Sequence, residues 1–243
     1  MRVVSACFIV LMLASTAFAQ KGKPWTEWSR KDVEKTLNDS AWGQTQTEGG
    51  DSQPQSSDSA ITQVAAPRSA DRQITRTGES GEAKPSTVVK YHVRFLSAKP
   101  VRAAFARMVL LSRTQPDENL TTQLQGFVDR DMADYIVVSV GIEVANEKMA
   151  APLMRAFTAA TTEALQNNVY LERKDGKKLY LMEYRAPIED GMGAKFVFPR
   201  KLGGQPFLSE SDSVRFVAQM NEKMKVNTRY KLSDMQYEGK LEY

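Results

Sequence analysis

The chain has 243 residues, of which 42% are hydrophobic and 26% are charged, and its formal net charge is +4 at neutral pH. This composition is typical of a globular protein, and a mean hydropathy of −0.43 excludes a multi-span membrane protein. One cysteine and one histidine exclude a disulfide framework and a Cys/His zinc site. Because the basic and acidic residues are interspersed and form no basic stripe, we expect no nucleic-acid partner.

Residues 1–19 have the pattern of a secretory signal peptide. A basic start at Arg2 precedes an apolar run from Val3 to Phe18, and Ala17-Phe18-Ala19 is an A-x-A cleavage site. The run is too short for a comfortable membrane span, and no second anchor follows it. We therefore expect export through the inner membrane, to the periplasm or beyond, and no transmembrane span after cleavage. Cleavage would also remove the only cysteine, Cys7.

Residues 20–42 are predicted to form a short helical segment, with the helix running from about Arg30 to Asn38. Ser29 and Asp32 have the spacing of a capping box, with Asp in place of the usual Glu or Gln. Val33 and Leu37 are four residues apart, so they share one helix face.

All three tryptophans of the chain, Trp25, Trp28 and Trp42, flank this helix. A helix so short is not stable alone, so something must cover this large apolar surface. One interpretation is that the segment packs on its own domain. The other is that Trp25, Trp28, Val33, Leu37 and Trp42 form a docking motif for a partner protein.

Residues 43–88 are predicted to be a disordered linker. Of these 46 residues, 27 are Ser, Thr, Gln, Gly or Pro, and none is Leu, Met or aromatic. Such a stretch buries too little apolar surface to offset its chain entropy.

Residues 89–243 are predicted to form an α+β domain that is long enough for its own core. We expect a largely antiparallel sheet of about six or seven strands, with about three helices packed on one face. The most apolar strand, 135–144, should be central. The other predicted strands are 88–96, 169–174, 177–185, 195–198, 213–220 and 226–232, and the helices are 101–112, one restarting at 116–117, and 151–167.

Three local features of this domain give specific expectations. Asp175-Gly176 predicts a two-residue turn, which would place Val169, Leu171, Tyr180, Met182 and Tyr184 on one inner face. Pro152 argues against a helix that is continuous from Asn146. The closing GKLEY sequence predicts a last strand that could close the sheet.

Residues with catalytic or metal-binding chemistry are sparse. His92 lies within a strand, and no motif supplies a nucleophile or an orienting acid, so we interpret it as structural. Asp129, Asp131 and Asp134 begin like a calcium loop, but the glycine and the glutamate that such a loop needs are missing, so a helix end and a turn explain them better. No cofactor motif and no phosphate-binding glycine loop is present.

Two further groups of charged residues, one basic and one acidic, could have a function. Arg215, Arg229 and Lys231 lie on the polar faces of the last strands, where a basic face could bind an acidic glycan or another envelope protein. Glu143, Glu172 and Glu183 could in principle supply a carboxylate pair for glycoside hydrolysis, although their spacing selects no two of them.

The segment WTEWSRKDVEKTLNDSAW behind a signal peptide resembles the opening of uncharacterised secreted bacterial proteins, some of which carry a GWxTD domain. The Gly-Trp-x-Thr-Asp signature itself is absent from this chain. YLERKDGKKLYLMEYRAP and YEGKLEY look like parts of a bacterial domain of unknown function. The resemblance implies export and assigns no catalytic residue.

The sequence thus favours an exported, non-enzymatic binding or assembly module of a bacterial envelope. It would use either the Trp-rich helix or the sheet face. The alternative is a cofactor-independent hydrolase that uses carboxylates on the sheet or its loops.

Overall fold

The structure, a computed structural model, describes residues 23–49, 88–145 and 147–243. The predicted signal peptide and most of the predicted linker, residues 50–87, lie outside this part of the chain. The helices are α1 (Arg30–Asn38), α2 (Lys99–Leu111), α3 (Glu118–Val128), α4 (Glu147–Ala159) and α5 (Thr162–Leu165), together with 3-10 turns at Trp25–Glu27 and Leu232–Asp234. No described helix has the length and hydropathy needed to cross a membrane.

The strands confirm the α+β class, and every strand pairing is antiparallel. They are β1 (Gly43–Glu48), β2 (Val89–Phe95), β3 (Tyr135–Val144), β4 (Val169–Arg173), β5 (Lys178–Tyr180), β6 (Glu183–Arg185), β7 (Ala194–Pro199), β8 (Lys201–Leu202), β9 (Gln205–Pro206), β10 (Ser213–Gln219), β11 (Lys225–Lys231), β12 (Gln236–Tyr237) and β13 (Lys240–Leu241).

The single predicted sheet is in fact two main sheets. One has the order β1-β2-β3-β7-β6, with the apolar strand β3 at its centre as expected, and the other has the order β11-β10-β4-β5. The rings of Phe196 and Phe216 lie 5.4 Å apart, and those of Phe95 and Tyr230 lie 4.8 Å apart. Because each pair joins one sheet to the other, the two inner faces pack against each other and form the main core.

Helices α1 and α2 cover part of the outer face of the five-stranded sheet, and α3 packs on α2. The side chain of Arg94 projects from β2 into this layer, and its guanidinium lies 5.4 Å from the ring centre of Phe105 on α2. Arg94 also donates a 2.9 Å hydrogen bond to the main-chain oxygen of Leu37, which is close to the end of α1. Two of the helices predicted to pack on one face, α2 and α3, therefore lie on the outer side of this sheet, whereas α4 contacts Tyr184 of its inner face.

The hairpin around Asp175 has a longer loop than predicted. The amide of Arg173 donates to Lys177, which leaves a three-residue loop with Gly176 at a φ of +81°. One extra loop residue shifts the register and reverses the faces of the second arm. The predicted inner residues Tyr180 and Met182 are therefore exposed, whereas Leu179 and Leu181 are buried.

The helix predicted from residue 151 in fact begins at Glu147 and contains Pro152. Proline at the sixth helical position removes one main-chain hydrogen bond, and the helix continues for seven residues beyond it. The burial of Phe157, whose main-chain oxygen accepts a 2.6 Å hydrogen bond from Tyr184, stabilises this helix by tertiary contact.

The predicted linker begins six residues too early, because Gly43–Glu48 form strand β1 at the edge of the five-stranded sheet. This strand has no apolar side chain longer than a methyl group, so hydropathy gave no signal for it. Side-chain amides stabilise it instead: Gln44 donates to the main-chain oxygen of Arg229 at 2.8 Å, and Gln46 donates to that of Lys225 at 2.9 Å. At Gly43 a Cβ atom would lie 2.3 Å from the oxygen of Leu37, so only glycine fits there.

The last predicted strand does not close a main sheet. Strands β12 and β13 form a separate small hairpin, the C-terminal hairpin, whose turn at Glu238 and Gly239 has positive φ at both residues. Tyr243 is buried, and its hydroxyl donates a 3.0 Å hydrogen bond to Leu208. The guanidinium of Arg200 lies 4.3 Å from the Tyr243 ring, so this part of the chain is firmly attached to the core.

Candidate functional site

The Trp-rich segment folds locally as its sequence predicts. Ser29 accepts a hydrogen bond from the Asp32 amide at 3.2 Å, and the Ser29 amide donates to the Asp32 carboxylate at 2.8 Å. This reciprocal capping box begins α1 where it was expected. Hydrogen bonds from Ser29 hold the pKa of the Asp32 carboxyl below its ordinary value.

The segment packs on its own chain, which is one of the two interpretations left open by the sequence. Trp28 is 1% exposed and Trp25 is 7% exposed, and Val33 and Leu37 are buried with them. Trp42 is half-buried. In this conformation four of the five residues of the predicted docking motif are core residues and are not available to a partner protein.

Hydrogen bonds fix the tryptophans to three distant parts of the chain. The Trp25 indole donates to Gln125 on α3 at 3.0 Å, and the Trp42 indole donates to the main-chain oxygen of Glu242 at 2.8 Å. The main-chain oxygen of Trp28 accepts a 2.7 Å hydrogen bond from Arg107 on α2. The indole N–H groups of Trp25 and Trp42 are both already used, and Trp25 is buried, so only the half-buried ring of Trp42 offers apolar surface to a ligand.

A cleft of about 1000 Å³ opens where the docked segment meets the rest of the fold. Residues 23–26, one face of α1, the first residues of α2, one residue of α3 and the C-terminal hairpin line it, and we call it the lysine cleft. Lys31 and Lys35 lie on that α1 face because they are four residues apart. The cleft therefore exists only when the segment is docked.

The charge of the lysine cleft is unbalanced. Four lysines and two carboxylates line it, at positions Lys23, Lys31, Lys35, Lys99, Asp32 and Glu238. Both carboxylates have partners within the protein, because Asp32 is held by the capping box and Glu238 lies 3.8 Å from the Lys99 ammonium. Because Lys99 pairs with both Glu238 and Asp129, the excess of positive charge that the cleft presents to a ligand lies on its α1 side.

Aromatic side chains form part of the cleft wall. The rings of Trp42 and Tyr237 lie 6.3 Å apart, edge to face, and Trp25 lines the cleft beside α1. Burial raises the pKa of Tyr237 to about 12, so its hydroxyl is neutral at physiological pH and serves as a hydrogen-bond donor or acceptor. Flat apolar rings beside cations suit a ligand that has both an apolar face and acidic groups.

Two of the three residues predicted to form a basic face are exposed, and the third is partly buried. Arg229 and Lys231 are exposed on the outer face of the four-stranded sheet, and Arg215 lies directly opposite Arg229 on the neighbouring strand. Arg215 donates to Glu172 through Nε at 2.9 Å, and its second contact to the same carboxylate is also a hydrogen bond. None of these three residues lines the lysine cleft, so the predicted binding residues form two separate groups.

His92 connects the N-terminal segment to the domain. Its Nδ1 lies 3.0 Å from the Thr45 hydroxyl on β1, and its Nε2 lies 3.1 Å from the Glu143 carboxylate on β3. Lys90 binds the same carboxylate at 2.7 Å. Burial is the largest cause that lowers the pKa of His92, while the hydrogen bond to Glu143 opposes it. These contacts agree with the structural role predicted for His92.

The three glutamates of the hydrolase alternative are not brought together. Glu143 pairs with Lys90, Glu172 with Arg215 and Glu183 with Arg185, and the three glutamates lie on the separate strands β3, β4 and β6. The neighbouring cation lowers the pKa of Glu143 and of Glu183. A general acid needs the opposite shift, so these residues have no arrangement for glycoside hydrolysis.

The acids near residue 130 end a helix and form a turn, as the sequence suggested. Asp129 follows α3 and lies 3.2 Å from the Lys99 ammonium, and Asp131 accepts a 2.8 Å hydrogen bond from the amide of Ala133. Among the residues that the structure describes, no group of three or more His, Cys, Asp or Glu is placed to hold a metal ion.

Sequence reasoning missed the lysine cleft. Its cations come from residues 23–35 and from Lys99, and its opposite wall comes from the C-terminal hairpin. Lys31 and Lys35 show one usable signal, since they recur on one helix face. Their approach to residues some 200 positions later has no counterpart in local sequence.

Comparisons of the chain with protein-family models, with curated proteins and with solved structures each give no match. The resemblance to GWxTD-associated secreted proteins therefore stays a prediction, and the candidate sites depend on geometry and charge alone.

Proposed function

We propose that the protein is an exported, non-enzymatic binding module whose lysine cleft holds an acidic glycan. The observation that supports this most is the cleft itself. It is a concave site of about 1000 Å³ with four lysines, two internally paired carboxylates and aromatic walls. Concave sites with a few convergent polar groups are the usual place for a small ligand, and a flat surface is not.

The ligand class follows from the chemistry of the walls. Sugar rings have apolar faces that stack on aromatic side chains, and the carboxylates of an acidic sugar pair with lysine ammonium groups. Lysine suits this task as a mobile point charge that tolerates several carboxylate positions. The export part of the proposal depends on the signal-peptide pattern of residues 1–19.

A titration with a galacturonate trisaccharide tests this function. Two tryptophans line the cleft, so binding is expected to change the intrinsic fluorescence, and the effect should weaken with added salt. The neutral trisaccharide of the same length is the ligand control and is expected to bind much more weakly.

Lysine variants locate the site. Lys23→Gln combined with Lys31→Gln is expected to weaken binding about three- to tenfold, since an exposed charge pair contributes roughly 0.2–1 kcal/mol. Lys177→Gln combined with Lys201→Gln removes two exposed lysines outside the cleft and should leave affinity unchanged. Equal affinity for the acidic and neutral sugars, or equal losses in both double variants, would overturn the proposal.

A further inference from the structure

A second surface of the molecule, on the sheet that α1 and α2 do not cover, meets solvent. It is the outer face of the four-stranded sheet, formed by the alternate residues of β4, β5, β10 and β11 that point away from the core. We call it the basic sheet face. Its outward charged residues are Arg215, Lys225, Arg229, Lys231, Lys178 and Glu172.

The charge of this face is concentrated. Five cations and one carboxylate on the strands give it a formal charge of +4, and Asp234, just beyond β11, pairs with Lys231 at 3.2 Å. Glu172 is already bonded to Arg215. In the described part of the chain, Arg229 and Lys225 are in no ion pair, although Arg229 lies directly opposite another arginine. Like charges opposite each other destabilise a sheet, and an acidic ligand would relieve this repulsion.

Two tyrosines lie on this face at the β4–β5 side of the sheet, where they contact each other and a lysine. The rings of Tyr170 and Tyr180 lie 5.8 Å apart, and the Lys178 ammonium lies 4.2 Å from the ring centre of Tyr170. Val217 is buried on the same side of the sheet. Tyrosine and arginine are the residues enriched in protein-interface hot spots, and side chains that are already ordered lose little entropy on binding.

From these observations we infer that the basic sheet face docks an acidic, extended segment of a partner protein. Outward residues on one strand are spaced by about 6.8 Å, which is also the spacing of alternate side chains in another extended chain. Carboxylates four residues apart in such a segment can therefore face Lys225 and Arg229 together. Gln44 and Gln46 already occupy the free edge of β11, so the segment would lie across the face and would not add a strand at that edge.

The chain itself does not supply this occupant. Residues 50–87 contain five carboxylates and four cations, and residues 1–22 contain basic residues only, so neither has the required negative charge. A second copy would bring the same positive face. An acidic partner protein is the occupant that charge complementarity selects.

Chemical-shift mapping of the labelled full chain tests this inference, with a synthetic peptide of eight glutamates as the probe. The expected shifts lie at outward residues of β4, β5, β10 and β11. Lys225→Glu with Arg229→Glu should weaken peptide binding at least tenfold. The matched control, Lys201→Glu with Lys240→Glu, makes the same charge change on two exposed hairpins and should change affinity less than twofold.

Tyr180→Ala is a second variant, because this exposed side chain is expected to affect binding without affecting folding. Several results would overturn the inference: no shifts on this face at millimolar peptide, equal losses in both double variants, or displacement of the peptide from this face by the galacturonate trisaccharide. None of these results bears on the lysine cleft, where sugar binding is measured separately.

Discussion

The two sheets differ in what covers their outer faces. The outer face of the five-stranded sheet is covered by α1 and α2 around Arg94, whereas that of the four-stranded sheet meets solvent. Arg94 on the first face is buried and bonded to main-chain and side-chain oxygens at the end of α1. Arg229 on the second face is exposed and in no ion pair among the described residues. The same residue type is thus a structural element on one face and a candidate binding group on the other.

The covered face depends on the N-terminal segment. Residues 23–48 supply α1, the edge strand β1 and one wall of the lysine cleft, and they bury Trp28 almost completely. A segment that the sequence presents as a possible appendage is therefore part of the core. Four predictions test this difference between the faces.

Removing the Trp28 side chain should have the largest effect. Trp28→Ala leaves a large cavity beneath the segment, and we expect the free energy of unfolding to fall by about 3–5 kcal/mol. Denaturant unfolding measures the change, with Trp28→Phe expected to lose less and Lys31→Ala expected to stay within about 0.5 kcal/mol. A loss below about 1 kcal/mol for Trp28→Ala would show that the segment is not a core element.

Replacing the two arginines by methionine compares the two faces directly. Arg94→Met leaves the oxygens of Leu37 and Asn38 without their donors, and we expect a loss of about 2–3 kcal/mol. Arg229→Met should change stability by less than about 0.5 kcal/mol, because the side chain is exposed and unpaired. Burial lowers the pKa of Arg94 to about 10, so it is still charged at neutral pH and keeps both hydrogen bonds. Equal losses at the two positions would contradict the distinction.

Gln46 should have a smaller effect. It donates to Lys225 at 2.9 Å and accepts from the Asn227 amide at 2.6 Å, which joins the edges of the two sheets. Gln46→Thr keeps a strand-forming residue and removes both bonds, so we expect a loss of about 1 kcal/mol in denaturant unfolding. Gln46→Glu can still accept from Asn227 but cannot donate to Lys225, and it places a second carboxylate beside Glu48, to which Gln46 donates at 2.8 Å, so its loss should be at least as large. No loss in either variant would mean that the amide bridges contribute nothing.

The pH dependence of stability should show the smallest effect. Because burial lowers the pKa of His92 below its ordinary value of about 6.5, the unfolded chain binds a proton more readily than the folded chain. The stability from neutral His92 is present above this ordinary pKa and is lost as the pH falls towards the folded pKa. Between pH 7.5 and 5.5 the natural protein should lose more stability than His92→Gln. A smaller loss than in the variant would reverse the predicted sign.

Much of the fold could be predicted from the sequence because apolar periodicity is strong where the core is. Strand 135–144 and helix α1 lie where they were expected, and the inner residues of β10 and β11 alternate as predicted. The hairpin register failed because a three-residue loop replaced the expected two-residue turn. Strand β1 was missed because its stability comes from side-chain amides and backbone pairing, and a hydropathy pattern does not report such hydrogen bonds.

The candidate sites were predictable only in part. Arg229 and Lys231 could be placed on a polar strand face by alternation alone. Whether that face was covered could not be known, since Arg94 follows a similar polar alternation and is buried. The lysine cleft joins Lys31 to Tyr237 and Glu238 through tertiary packing. No local sequence pattern encodes this approach, so the cleft could not be predicted from the sequence.

Tryptophan emission of the dilute monomer tests the central claim most directly, because all three tryptophans lie in residues 25–42. If the segment is docked, the emission of the full chain should be blue-shifted and largely protected from acrylamide. The isolated peptide 23–48 should then emit at longer wavelength and be quenched freely. Red, freely quenched emission from the full chain would contradict the account, because the segment would then be displayed to solvent and the lysine cleft would not exist.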